Sequence, residues 1–206
     1  MKTKRSYIGL ALLLGLVVAG NGCILEEVVA ELVLTSETCA VFEQREDSAN
    51  WNNPFILSDY ADDLDDALAE GGWSRSDIIS ASLMAAHYGV TQLISNPHDW
   101  EVSGAISVQV QGGGGGAAIL IDYTSVSVQG ALGQKIVASL NAAGVQVIND
   151  ALTAYIGGAN PVLVFNDVGS GVNPVPTPSD MMEFDWKAWL TIQVILETVT
   201  DVPDPF

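Results

Sequence analysis

Val102, Gly104, Ile106, Val108 and Val110 alternate with Ser103, Ser107, Gln109 and Gln111. A two-residue period puts one side of a segment against a core and the other against water, so it predicts a half-buried strand over 102–111. The same period recurs at the end of the chain, where Ala188, Leu190, Ile192, Val194 and Leu196 alternate with Trp189, Thr191, Gln193 and Glu197, predicting a strand over 188–197. Val126 and Val128 alternate with Ser127 and Gln129 over 125–130, and 117–123 reads as a more buried strand reached through a turn at Gly112–Gly116. Clean alternation marks antiparallel sheets with one wet face, and this constrains the fold more than any other feature of the chain.

Two segments carry the helical period instead. Asp59 is a suitable N-cap for a helix near 60–70, with Tyr60, Leu64, Ala67 and Leu68 on one stripe and Gly71-Gly72 as the stop. Asn141 caps a second helix near 142–156, with Val145, Ile148, Leu152 and Tyr155 on one side and Gly157-Gly158 closing it. Between them, Ser74 and Asp77 fit a capping box that could open a further helix. The interleaving of Ser80 and Ser82 with Ile79, Ala81, Leu83 and Ala85, and Gly89 beyond, favours a strand there. Asn52-Asn53-Pro54 and Gly169-Ser170-Gly171 read as turns, 161–165 as a short strand, and the proline-rich 172–178 as an exposed connection. Met181, Met182, Phe184 and Trp186 form an apolar entry to the last strand. The economical architecture is a mainly β fold, an antiparallel β-sandwich with two helices in its connections, with an α+β arrangement as the fallback. Regular strand–helix repetition, which layered α/β folds need, is missing.

The N-terminus points to export. Lys2, Lys4 and Arg5 precede an apolar run from Tyr7 to Ala19, and Gly20-Asn21-Gly22-Cys23 follows. The run is too short and too one-sidedly flanked for a stable membrane span, so residues 1–22 read as an export signal peptide. The Gly22-Cys23 junction resembles that of bacterial lipoprotein precursors, in which the cysteine is lipidated and becomes the new N-terminus. Gly20 and Asn21 stand where such precursors usually carry Leu and Ala or Ser. The resemblance implies a membrane anchor on Cys23 and a lone thiol at Cys39. Ordinary cleavage after Gly20 would instead leave Cys23 free to bridge Cys39. Residues 23–50 read as a tether and N-terminal segment, with a short helix over Ile24–Leu34 and a first strand toward Glu43. Residues 51–206 read as a single β-rich domain.

Charge excludes one class of partner. Loss of residues 1–22 removes three cations and no acid, taking the formal charge from −18 to −21. Arg45, Arg75, Lys135 and Lys187 then face 25 carboxylates, a surface that repels phosphate backbones, so nucleic acid is not an expected partner. Most of the acids serve solubility.

Chemical motifs are few. The five-glycine run lacks the Gly-Lys-Ser/Thr of a phosphate loop, and no Gly-x-Ser-x-Gly elbow stands near a usable His and acid. His87 and His98 could form a metal pair or supply a hydrolase base, but they lack His-x-x-x-His or His-x-His spacing and fit better as residues of a strand end and of the Asn96–Asp99 turn. Asp59, Asp62, Asp63, Asp65 and Asp66 could gather calcium, though helical spacing splays them onto a solvated face. Trp51, Trp73, Trp100, Trp186 and Trp189 could line a glycan-binding face, but at β spacing aromatics more often pack into a core. The expectation is a non-catalytic binding or structural protein of the cell envelope, without catalytic, cofactor or metal residues, tethered at Cys23. A hydrolase using His87, His98 and nearby acids is the alternative, and a calcium-dependent adhesion or glycan-binding module a second.

Overall fold

Met182, Phe184, Trp186, Ala188, Leu190, Ile192, Val194 and Leu196 are all buried in the computed structural model, as two-residue alternation along the last strand demands. The structure describes residues 28–46, 50–58, 60–95, 99–172 and 182–200. Its elements are β1 (Val28–Glu46), β2 (Asn50–Leu57), α1 (Tyr60–Glu70), a single 3-10 turn (Arg75–Asp77), β3 (Ile78–Ser95), β4 (Glu101–Val110), β5 (Ala118–Ser127), β6 (Ile136–Val137), α2 (Ala142–Ile156), β7 (Leu163–Val172) and β8 (Met182–Thr200). The strands form two antiparallel sheets, ordered β1-β8-β3-β6 and β2-β7-β4-β5. Of consecutive strands, only β4 and β5 are neighbours in one sheet, so the chain passes repeatedly from sheet to sheet.

The two inner faces meet through aromatics. Tyr123 of β5 stands edge-on to Trp186 of β8 at 5.5 Å between ring centroids, and Tyr88 of β3 lies 6.0 Å from Tyr123. The fold is the mainly β sandwich expected from the alternation, with α1 in the connection from β2 to β3 and α2 in that from β6 to β7. Helix α2 packs against β3, β4 and β5, closing one flank of the sandwich, and the Asn149 carboxamide oxygen accepts the backbone N–H of Leu83 at 2.9 Å. That bond satisfies a donor on the open edge of β3, where β6 covers only His87 and Tyr88.

Local signals behave as expected at α2: the Asn141 side chain accepts the Ala143 N–H at 3.0 Å, and Gly158 ends the helix at φ +89°. The capping box of Ser74 and Asp77 forms around a single 3-10 turn, after which the chain goes directly into β3.

Other segments depart from expectation. Residues 28–34, expected as part of a short helix, are extended, and β1 pairs with β8 from Val28↔Thr200 to Glu46↔Met182. Much of the presumed tether is therefore sheet: β-branched Val28, Val29 and Val33 suit a strand, and the long partner outweighs local helical preference. Asn52-Asn53-Pro54 lies inside β2 rather than in a turn. Trp51 and Leu57 face inward there, and proline is tolerated because β2 is an edge strand. Gly169-Ser170-Gly171, also read as a turn, is the second half of β7. Residues 125–130 are not a separate strand. β5 continues to Ser127 through a bulge at Ser125, whose φ is +49° and whose N–H is accepted by the Ser103 hydroxyl. The strand expected after Ser80 is present, but its inward set is Ile78, Leu83, Ala86 and Val90, while Ile79 is 49% exposed. Four register shifts against β8 interrupt the period-2 count. Asp59 as a cap, the turn holding His98, Met181, most of the 172–178 connection, and the signal with Cys23 lie outside the described residues.

Candidate functional site

Strand β7 alternates Leu163, Phe165 and Asp167 on its inner face. The third of these is a carboxylate with no exposed surface, set between two apolar layers. Such a group is costly unless its oxygens are bonded. The Tyr123 hydroxyl donates to Asp167 Oδ1 at 2.7 Å, and the Trp51 indole N–H donates to Oδ2. Three strands of one sheet, β2, β5 and β7, thus converge on one carboxyl group.

Glycines open the room for this. Gly104 and Gly169 are directly paired between β4 and β7. A Cβ on Gly104 would lie 2.5 Å from the Tyr123 hydroxyl, and one on Gly169 would lie 2.3 Å from the Trp51 ring. Both aromatic side chains cross the sheet over bare backbone to reach Asp167. Burial pushes the Asp167 carboxyl up to about 6, against the opposing pull of the hydrogen bonds from Tyr123 and Trp51. Burial also raises the Tyr123 phenol, and the nearby Asp167 charge adds to that. Beside the cluster lies a cavity of about 20 Å³ lined by Trp51, Tyr88, Val90, Val102, Tyr123 and Trp186 among others. It could hold a single water by volume, but its apolar lining offers no partner to keep one.

A second polar group ties the helices together. Arg75, on the 3-10 turn, grips Asp65 of α1 through Nε–Oδ1 at 2.7 Å and Nη2–Oδ2 at 2.5 Å. Its Nη1 donates to Asn160 Oδ1 at 2.7 Å, and its guanidinium carbon sits 4.1 Å from the centre of the Tyr155 ring. The Tyr155 hydroxyl donates to Asp65 Oδ1 at 2.6 Å. The Arg75 hydrogen bonds hold the Asp65 carboxyl below the usual carboxylate range. This is a latch joining α1, the end of α2 and the loop after it. A separate surface groove of about 200 Å³ runs between the glycine hairpin and α2, lined by Gln109, Val110, Gly113, Gly115, Val147 and Asp150.

The residues singled out in the sequence are mostly elsewhere. His87 is half-buried on β3, opposite Trp189 of β8 and Val137 of β6, and its Nδ1 is buried without a hydrogen bond. His98 is outside the described residues. Of the acidic set, Asp65 is held by Arg75, Asp62 and Asp66 are exposed, and no group of three potential metal ligands forms among the described residues. Trp51, Trp100 and Trp186 are core residues, while Trp73 and Trp189 are half-buried. The backbone of Cys39 pairs with Trp189, while Cys23 lies outside the described residues.

Asp167, Trp51 and Tyr123 are not legible as a group in the sequence, because the apolar run that marks the strand stops at Phe165. Carrying the alternation two residues further would have put an aspartate on the buried face. No protein-family model matches the chain, and neither the curated proteins nor the solved structures contain a significant match.

Proposed function

We propose that the chain is an exported, lipid-anchored cell-envelope protein that acts by binding or as a structural element rather than by catalysis. The observation that carries this reading is that Asp167, the buried carboxylate, is sealed between sheets and bonded on both oxygens, out of reach of a substrate. Among the described residues the groups with reactive chemistry are dispersed: His87 stands between Val137 and Trp189 in its sheet, and Asp65 is committed to Arg75. The basic start, the apolar run and Gly22-Cys23 support the anchor. Val28, the start of β1, is five residues beyond Cys23, so an acyl anchor would hold that end of the strand within about 18 Å of the bilayer surface. At low ionic strength, where the screening length exceeds that reach, the formal charge of −21 left after signal removal would push the domain away from anionic headgroups. The groove beside the glycine hairpin offers Gln109 and Asp150 to a small polar ligand.

The anchor is tested by expressing the full gene in a bacterium and measuring the intact mass of the product. The expected result is a protein beginning at Cys23 and carrying acyl chains, with Cys23→Ser moving it to the soluble fraction. An unmodified N-terminus at Asn21 would remove the anchor and leave export standing; a bridge from Cys23 to Cys39 is out of reach, because Cys39 lies eleven residues along the extended β1 from Val28. The role is tested by assaying the purified domain against esters, peptides and glycans. No turnover is expected, and activity lost in a folded His87→Ala, His98→Ala double variant would instead make the protein a hydrolase.

A further inference from the structure

We propose that the Trp51–Asp167–Tyr123 cluster is a proton-operated lock between the strands of the β2-β7-β4-β5 sheet and the opposing layer, tight when the carboxyl carries a proton and loosened when it does not. The geometry sets this up. Asp167 has no exposed surface, and among the described residues its oxygens meet two donors, the indole of an edge strand and a phenol from β5. An ionised carboxylate has room for about four hydrogen bonds, so two donors leave it under-solvated, whereas a neutral carboxyl needs fewer partners. The Tyr123 hydroxyl can accept as well as donate, so it can serve the protonated form by reversing its role.

Nothing described around the carboxyl compensates a charge. The titratable groups facing it are Tyr123 from β5 and, behind that ring, Tyr88 from β3. β2, β4 and β8 contribute Trp51, the bare backbone at Gly104, and Trp186, all uncharged. The adjoining 20 Å³ cavity is apolar and lined by the same aromatics, so its walls offer an ionised carboxyl no further polar partner. The relief open to a carboxylate is for water to enter, and both of its donors stand on edge strands of the sheet, Trp51 on β2 and Tyr123 on β5.

The sign follows from linkage. The folded carboxyl titrates near 6, above its ordinary 3.8. Its stabilising contribution is therefore fully present below about pH 3.8 and is lost as the pH rises through about 6. The test compares the full chain with Asp167→Asn, which keeps the shape and cannot titrate. Between pH 3.5 and 7 the unfolding constant of the wild type should rise relative to the variant by on the order of a hundredfold. Equal pH dependence in the two proteins overturns the proposal. Should the variant not fold, carbon-13 NMR of the wild-type Asp167 carboxyl gives the midpoint directly. A midpoint near 6 supports the lock, and one at or below the ordinary carboxylate value overturns it. Amide hydrogen exchange, taken relative to the intrinsic rates, reads the loosening itself. Protection in β2 and β7 should fall as the pH rises through the midpoint, and constant protection there would also overturn the proposal.

Discussion

Gly169 illustrates how closely single residues set this interior. Its hydrogen occupies the place where any side chain would strike the Trp51 ring at 2.3 Å and the Tyr123 hydroxyl at 2.7 Å. Ring and hydroxyl are both fixed by Asp167, so neither can swing aside without leaving an unpaired buried acceptor. Gly169→Ala should destabilise the protein by about 1–3 kcal/mol in urea unfolding and shift tryptophan emission to the red as Trp51 is displaced. An unchanged midpoint and spectrum would mean that the indole does not need that gap. Arg75 makes a different case, because its ion pair with Asp65 is partly exposed, at 22% and 40% of the two side chains. Solvent screening discounts the Coulomb gain, and the two-pronged geometry restores some of it. The folded Asp65 carboxyl is lowered, so its contribution is present above its unfolded value near 4 and disappears as the pH falls through the folded one. Arg75→Gln should cost on the order of 1 kcal/mol at pH 7, with the difference from wild type shrinking below pH 4 in thermal melts at a series of pH values.

Among the elements, β3 draws on several neighbours. Its inner edge pairs with β8 throughout, while its outer edge is covered piecemeal: β6 at His87 and Tyr88, Ala138 and the 131–133 turn at Ala86 and Val90, and α2 nearer its start. Asn149 closes one gap by taking the Leu83 N–H at a point where the register slips against β8. Asn149→Ala should cost about 1–3 kcal/mol, read by urea unfolding, because it strands that donor at a partly buried edge. It should also raise hydrogen exchange at Leu83 above that of β8, and uniform protection across both strands would refute the capping role. The same element explains which parts of the fold were legible. β8 and β4 keep an uninterrupted period, and α2 has both its caps, so their types could be read directly. In β3 the bulges shift the inward set from Ile79 to Ile78 and later from Ala85 to Ala86, a change that local alternation does not encode. β2 and the end of β7 were hidden by Asn-Asn-Pro and Gly-Ser-Gly, strong turn formers that here serve an edge strand and the floor beneath an indole. The Asp167 cluster was lost with them, since its members are separated by 116 and 44 residues in the chain and only the sheet order brings them together.

At the scale of the whole molecule, charge and core pull in opposite directions. The buried inner faces form one cluster running from Trp51 to Leu196, and they contain a single buried acid among the described residues. The remaining described acids lie at or near the surface, on a chain whose formal charge is −18 with 7 cations against 25 carboxylates. Like charges this numerous repel one another across the folded surface, and unfolding relieves that by spreading them apart. Salt shortens the screening length from about 30 Å at 0.01 M to about 8 Å at 0.15 M, so it should weaken this repulsion long before it touches the partly buried Arg75–Asp65 pair. Raising sodium chloride from low to physiological concentration should therefore raise Tm by several degrees at pH 7. At pH 4, with many of the carboxylates neutral, the same change should do much less. Acid pH alone has two opposed effects, since protonating Asp167 stabilises the folded chain and protonating Asp65 weakens the latch. Measuring Tm on a grid of salt and pH separates them: surface repulsion fades with salt at every pH above the carboxylate range, whereas the Asp167 contribution persists at high salt because the group is sealed from solvent. A pH dependence near 6 that vanished in 1 M salt would assign it to the surface instead of the buried carboxyl.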